Sequence, residues 1–286
     1  MGYAEAGPTD RAGRSFSSTA GRTTFTAFVD VAPLLASAGY RVIVPYLRGY
    51  GTTRFLSTET FRNGQPSAVA STSSRSMDAL KIEKAILAGF DWGARTANIV
   101  AALWPERCKA MVSVSGYLIG NQEAGKMPLP PKAEFEWWYQ YYFATERGRA
   151  GYDKNRHDFA KLIWQLASPK WKFDDATFDR SAASFDNPDH VAIVIHNYRW
   201  RLALARRRAE IRRSGKRLAE ASGHHRAHHY PRGRCQWCAT PGPQRLCQEI
   251  LGQVCASDSS RAASGTICRR KRPQAFAQAI IDVDRF

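Results

Sequence analysis

Apolar residues fall into two spacings along the chain, and the alternation between them predicts the architecture. Val42-Ile43-Val44 is an unbroken apolar run, too short for a helix, preceded by a helix end and glycine stop at Ala36–Gly39. Ala85-Ile86-Leu87-Ala88 is a second such run. It leads through Gly89-Phe90-Asp91-Trp92-Gly93 into a helix over Arg95–Trp104, which Pro105 stops. Cys108–Ser115 is a third buried strand. Continuous apolar strands alternating with helices predict an α/β fold with a mostly parallel sheet, covered by helices on both faces. Beyond about Leu118 the texture becomes helical and aromatic. After a Pro128-Leu129-Pro130-Pro131 linker come Phe135, Trp137, Trp138, Tyr139, Tyr141, Tyr142 and Phe143, then Trp164, Trp171, Tyr198 and Trp200. Pro273–Phe286 predicts an amphipathic C-terminal helix through Phe276, Ile280 and Ile281.

Three segments fit neither spacing: Pro8–Ala27, Ser71–Ser76 and Ala203–Arg272. Read alone they predict disorder, yet each stands where a strand or helix is needed. Charge sharpens the contrast. The chain carries a net charge of +17, which by itself points to an anionic partner. Residues 201–272, however, hold 17 Lys and Arg against 4 Asp and Glu, while the rest of the chain holds 25 against 21. The same stretch has five of the six cysteines together with His224, His225, His228 and His229. Zinc binding there, with Cys235-x-x-Cys238, or nucleic-acid binding by the basic run forms the alternative of another class. The Cys and His spacing matches no common zinc finger, so no metal site is assigned and no cofactor is expected. Elsewhere, 44% hydrophobic residues support a sizeable core. No apolar run approaches the roughly 18 residues that span a membrane. The N-terminal residues lack a secretory pattern, so a cytoplasmic location is expected.

Gly89-Phe90-Asp91-Trp92-Gly93 is a Gly-x-Asp-x-Gly between an apolar strand and a helix. Small residues there permit a sharp turn that pushes the central side chain into the open, and the helix N-terminus favours a carboxylate. The plain alternative is an aspartate that only caps a helix.

With Gly39–Gly51, whose loop reads Pro45-Tyr46-Leu47-Arg48-Gly49-Tyr50-Gly51, and with Leu103–Cys108 after the elbow helix, the chain resembles epoxide hydrolases and haloalkane dehalogenases of the α/β-hydrolase superfamily. The resemblance covers residues 28–70, 77–200 and the last fourteen. It implies a core formed by residues 1–117 and 201–286, with 201–272 anomalous, and a helical cap at 118–200. It implies Asp91 as the nucleophile that forms an alkyl ester, Trp92 as an oxyanion-hole donor, and Tyr139 and Tyr198 as hydrogen-bond donors to the epoxide oxygen. Both tyrosines could equally be cap aromatics that only pack. The implied partner is a small apolar epoxide; the alternative is a haloalkane, should Trp92 serve a halide, or the substrate of another cap-bearing hydrolase, and oligomeric state is left open.

Three parts that the resemblance requires are missing. A His-Gly-x-Pro turn should precede Phe28, where Ser18–Thr23 stands. An acid should follow a late strand, where Arg232–Cys238 stands. A base histidine should sit near the C-terminus, where Ser264–Arg269 stands, and no histidine follows His229. With one upstream base added, C before Ser18 and A before Ser264, and with Arg232–Ala239 read one base downstream, compatible codons recover all three: those for Ser18–Thr23 spell Leu-His-Gly-Trp-Pro-Tyr. Those for Arg232–Ala239 spell Glu-Gly-Asp-Ala-Asn-Gly-Ala, and those for Ser264–Lys271 spell Ile-Gly-His-Asn-Leu-Pro-Gln-Glu. Frame-scrambled segments account for all three gaps and imply a chain that is impaired as written.

Overall fold

A computed structural model of the chain describes residues 1–9, 15–20, 28–114, 127–169, 171–205, 235–237 and 273–285, with 15–20 and 235–237 described as backbone only. Six strands form one sheet: β1 (Tyr3–Ala6), β2 (Ser15–Ala20), β3 (Arg41–Pro45), β4 (Ala85–Phe90), β5 (Cys108–Val114) and β6 (Cys235–Trp237), in the order β1-β3-β2-β4-β5-β6. The α-helices among the described residues, in chain order, are α1 (Val31–Ser37), α2 (Pro66–Ala79), α3 (Trp92–Leu103), α4 (Pro131–Glu136), α5 (Tyr139–Ala144), α6 (Glu146–Lys154), α7 (Arg156–Ala167), α8 (Asp175–Ala182), α9 (His190–Arg201) and α10 (Pro273–Val283).

The four central strands β3, β2, β4 and β5 run parallel, and the edge strands β1 and β6 are antiparallel to their neighbours. Parallel strands are buried on both faces, and alternate residues divide between two cores. Val42, Val44, Ile86, Ala88, Phe90 and Val112 pack with α1 and α10 on one face. Ile43, Leu87 and Met111 pack with α2 and α3 on the other. The α/β sheet expected from the apolar runs is therefore present, as is the C-terminal helix.

Two of the patternless segments hold the elements that their places in the chain called for, not the disorder their composition predicts. Ser71–Ser76 is not irregular but lies in the middle of α2, with Ser73 and Ser74 buried. Their size lets α2 sit close to α3, and Ser73 Oγ donates back to the Val69 carbonyl at 3.4 Å, as Ser76 Oγ does to that of Thr72 at 2.7 Å. Pro8–Ala27 contains β2, whose backbone pairs Phe16 with Val42 on one side and Ile86 on the other. Strand pairing needs only backbone donors and acceptors, so a Ser/Thr-rich stretch can complete it. The short strand β1 has no sequence signal strong enough to predict it. Most of Ala203–Arg272 lies outside the described residues, including the histidine cluster and Ser264–Lys271. Gly21-Arg22-Thr23 lies outside them too. No helix among the described residues is long and apolar enough to cross a membrane.

The helical layer α4–α9 is fastened to the sheet through α9 and the loop that follows β3. Asn187 donates to the carbonyls of Gly51 (3.0 Å) and Thr53 (2.7 Å), Arg62 pairs with Asp189 at 2.8 Å, and Asn197 donates to the Gly64 carbonyl at 2.6 Å. Gly64 is required where it stands, because a Cβ there would lie 2.2 Å from the Ile193 carbonyl oxygen.

Candidate active site

β4 ends and α3 begins within one residue, and that residue is Asp91. Its backbone sits at φ 48°, ψ −114°, a conformation that costs a non-glycine residue about 1–3 kcal/mol. The turn is tight enough that a Cβ on Gly89 would approach the Gly93 carbonyl carbon to 2.3 Å, so the glycine two residues before Asp91 cannot be replaced. The surroundings hold the strain in place. The Asp91 N–H donates to the Val114 carbonyl at 3.1 Å, and Arg95 N–H donates to the Asp91 carbonyl at 2.9 Å. Buried Asn98 bridges α3 to β5 by donating to Ser113 Oγ at 2.7 Å. The Asp91 carboxylate is mostly buried at the N-terminus of α3, with the Arg95 guanidinium 3.2 Å from Oδ1.

Trp92, the next residue, faces the helical layer. Its indole packs edge-on against Tyr50 (centroids 6.2 Å apart) and tilted against Tyr198 (6.0 Å), and Tyr198 meets Tyr139 at 5.6 Å, nearly perpendicular. The elbow residue Trp92 and the two tyrosines expected from sequence are thus brought together, and all three line one cavity with Phe143, Tyr152 and His190 among its other walls. Asp91 itself is not part of that lining; it sits one residue outside it. Trp92 Nε1 is buried and has no hydrogen-bond acceptor among the described residues.

Sequence reasoning missed Tyr50, Tyr152 and His190. His190, Val194 and Tyr198 lie four residues apart along α9 and all three line the cavity. That spacing places them on one helix face and was a usable signal. His190 is fully buried, with Nδ1 2.9 Å from the Gly49 carbonyl oxygen and Nε2 2.8 Å from the Tyr152 hydroxyl. A carbonyl only accepts, so Nδ1 carries the hydrogen and Nε2 accepts from the tyrosine. Burial holds this imidazole down at about 4, keeping it neutral. Among the described residues His157 Nε2 lies 2.8 Å from Asp186 Oδ1, but both groups are exposed and neither lines the cavity. His196 Nδ1 accepts from the Gly64 N–H at 3.1 Å.

The sequence model of the α/β-hydrolase fold family matches residues 19–151. A solved structure from Klebsiella pneumoniae, provisionally designated an epoxide hydrolase, superposes with a TM-score of 0.82 at 48% identity, covering 99% of this chain and 93% of that one. Epoxide hydrolase B of Mycobacterium tuberculosis is 30% identical over 129 residues, 41% of this chain and 35% of that protein. An epoxide hydrolase of Caballeronia sordidicola is 40% identical over 86 residues, 28% of this chain and 24% of that one. The match thus spans about a third or less of the length of these curated relatives.

Proposed function

We propose that this chain, which belongs to the α/β-hydrolase fold family and is epoxide hydrolase-like, is built to open a small apolar epoxide through an ester at Asp91. Residues 1–117 and 201–286 serve as the core, and 118–200 as a cap whose junction with the core is the substrate pocket. A carboxylate oxygen of Asp91 attacks one epoxide carbon and forms a C–O bond. The ring C–O bond breaks, and its electron pair goes to the epoxide oxygen, which Tyr139 and Tyr198 stabilise and protonate. Hydrolysis of the ester places charge on its carbonyl oxygen, and the Trp92 backbone N–H is the donor directed there. The observation that carries this reading is the positive-φ elbow at Asp91, set beside a cavity walled by Trp92, Tyr139 and Tyr198.

The second half of the reaction needs a histidine held by an acid. His157 spends Nε2 on exposed Asp186 and does not line the cavity, and His190, which does, spends both nitrogens. We therefore read the chain as one that accumulates the ester. Intact mass after incubation with 1,2-epoxypropane should rise by one epoxide. Peptide mapping should place the adduct on Asp91, it should persist for hours, and Asp91→Asn should lack it. Steady diol release would overturn the arrest; absence of an Asp91 adduct would overturn the nucleophile.

The buried Trp92 indole N–H favours one second reading, in which a leaving halide accepts that hydrogen bond. Alkylation of Asp91 by 1-chlorobutane, with stoichiometric chloride release and no labelling by epoxides, is the result that would select it.

A further inference from the structure

The cavity is small for one with so many aromatic walls. Its volume is about 40 Å³. A single water needs roughly 10–15 Å³, so about three non-hydrogen atoms fill this one, and benzene, which takes a void of about 150 Å³, does not fit. No charged side chain lines it among the described residues, so an ionised substituent would find no partner on those walls.

We infer that the site selects short uncharged terminal epoxides, and that Tyr152, pinned by His190, is the residue that stops longer ones. The inference rests on the epoxide reading above. Ring-to-ring contacts lead from Trp92 to Tyr198 (6.0 Å), from Tyr198 to Phe143 (5.1 Å) and from Phe143 to Tyr152 (4.9 Å). Tyr152 thus forms a wall several rings away from the elbow, where the tail of a substrate held at Asp91 would arrive. An unpinned tyrosine could turn aside for such a tail. Tyr152 is held instead: it is 6% exposed, and its hydroxyl is committed to His190. His190 is itself clamped, by the Gly49 carbonyl at one nitrogen and by Phe185 stacked on its ring at 5.1 Å. Gly49 has no room behind it, since a Cβ there would lie 2.9 Å from the Ile193 Cβ. The imidazole stays neutral throughout the neutral range, so this arrangement keeps one tautomer.

Primary carboxamides test this on the full chain without ester chemistry. Their carbonyl accepts hydrogen bonds as an epoxide oxygen would, they are not alkylating agents, and their tails probe the cavity. Affinities for acetamide, propionamide, butyramide, hexanamide and phenylacetamide would be measured by ligand-observed NMR. A tail that finds apolar room gains about fourfold per methylene. The wild type should instead peak at propionamide or butyramide, with hexanamide and phenylacetamide at least tenfold weaker than the peak. Tyr152→Leu should move the peak to hexanamide. Tyr152→Phe keeps the ring but frees it from His190, and should lift hexanamide toward the peak even if the leucine variant fails to fold. His190→Leu should do the same, whereas His190→Gln, which restores an acceptor for the hydroxyl, should bring the wild-type profile back. A steady rise through hexanamide in the wild type, an unchanged profile in both Tyr152 variants, or no amide binding at all would each overturn the inference. Loss of the Asp91 adduct with an intact length profile would remove the ester reading and leave the size selection standing.

Discussion

Asp91 carries a cost that its neighbours do not share, because its φ of 48° belongs to glycine's range. Asp91→Gly should relieve that strain. After loss of the Arg95 contact, the net gain should be about 1 kcal/mol, or roughly 2–4 °C in melting temperature, together with complete loss of labelling. Calorimetry that shows the glycine variant melting lower would refute stored strain at the elbow. Gly89→Ala has the opposite sign. Its Cβ would meet backbone rather than a flexible side chain, and the expected loss is about 3 kcal/mol, read from a urea melt. Tyr139→Phe and Tyr198→Phe should each slow alkylation of Asp91 by about 100-fold while leaving the fold intact; equal rates would make them packing residues. At this scale the sequence was informative where the chemistry is local. The elbow is contained within Gly89–Gly93, so its pattern could be recognised in one line of text. The spacing of His190 from Val194 and Tyr198 could place it on the cavity face. Its hydrogen bonds could not be read that way, because its partners Gly49 and Tyr152 lie 141 and 38 positions away.

The contact between α9 and the loop after β3 carries two predictions at the level of elements. Asp189 is buried, pairs with Arg62 and also accepts from the Phe55 N–H at 3.2 Å. Asp189→Ala strands both donors and should cost about 2–3 kcal/mol, with the Arg62 charge partly screened by its exposure. His190, in the same contact, sets a pH dependence. Its ordinary value is 6.5 and its buried value about 4. Between these the unfolded chain binds a proton that the folded one does not. Stability is therefore complete above about pH 6.5 and is lost as pH falls toward 4, by about 3 kcal/mol in all. Comparing urea midpoints from pH 7 to pH 4.5 in the wild type and His190→Gln checks this: the variant's curve should be flatter. Element identity was readable from sequence wherever apolar periodicity was strong, as in β3, β4, β5, α3 and α10. It failed at Ser71–Ser76, because a helix packed closely on α3 wants small side chains and serine satisfies itself by back-bonding to the preceding turn. It failed at β2 because a central strand can be paired by backbone alone.

For the whole molecule, a parallel sheet with two buried faces followed from three apolar runs, since only that arrangement covers strands apolar on both sides. The helical layer announced itself by its aromatics. The least legible part is 201–272, and the frame-shifted reading of it leads to a prediction about the gene. Its nucleotides at codons 18–23 and 264–271, read in the frame one base upstream, should spell His-Gly-Trp-Pro and Gly-His, and those at codons 232–239, read one base downstream, should spell Gly-Asp. A chain rewritten with those motifs should release diol continuously. Codons incompatible with all three readings would leave the basic 201–272 stretch as native text, to be tested for salt-dependent retention on DNA and for zinc.

The position of α10 also has a consequence for how the protein is made. Phe276 packs against Phe28 with ring centroids 6.0 Å apart, and Asp284 receives the Tyr40 hydroxyl at 2.9 Å and pairs with Lys109 at 2.5 Å. One face of the sheet is therefore covered by a helix translated long after the strands it covers. At about 5–20 residues per second, roughly ten to thirty seconds separate synthesis of β5 from synthesis of α10. Throughout that interval Val112, Ile86 and Phe90 lack a cover that the finished protein supplies, so the nascent chain is a natural client for chaperones that bind bare apolar strands, and a ribosome stalled before α10 would present them with that surface indefinitely.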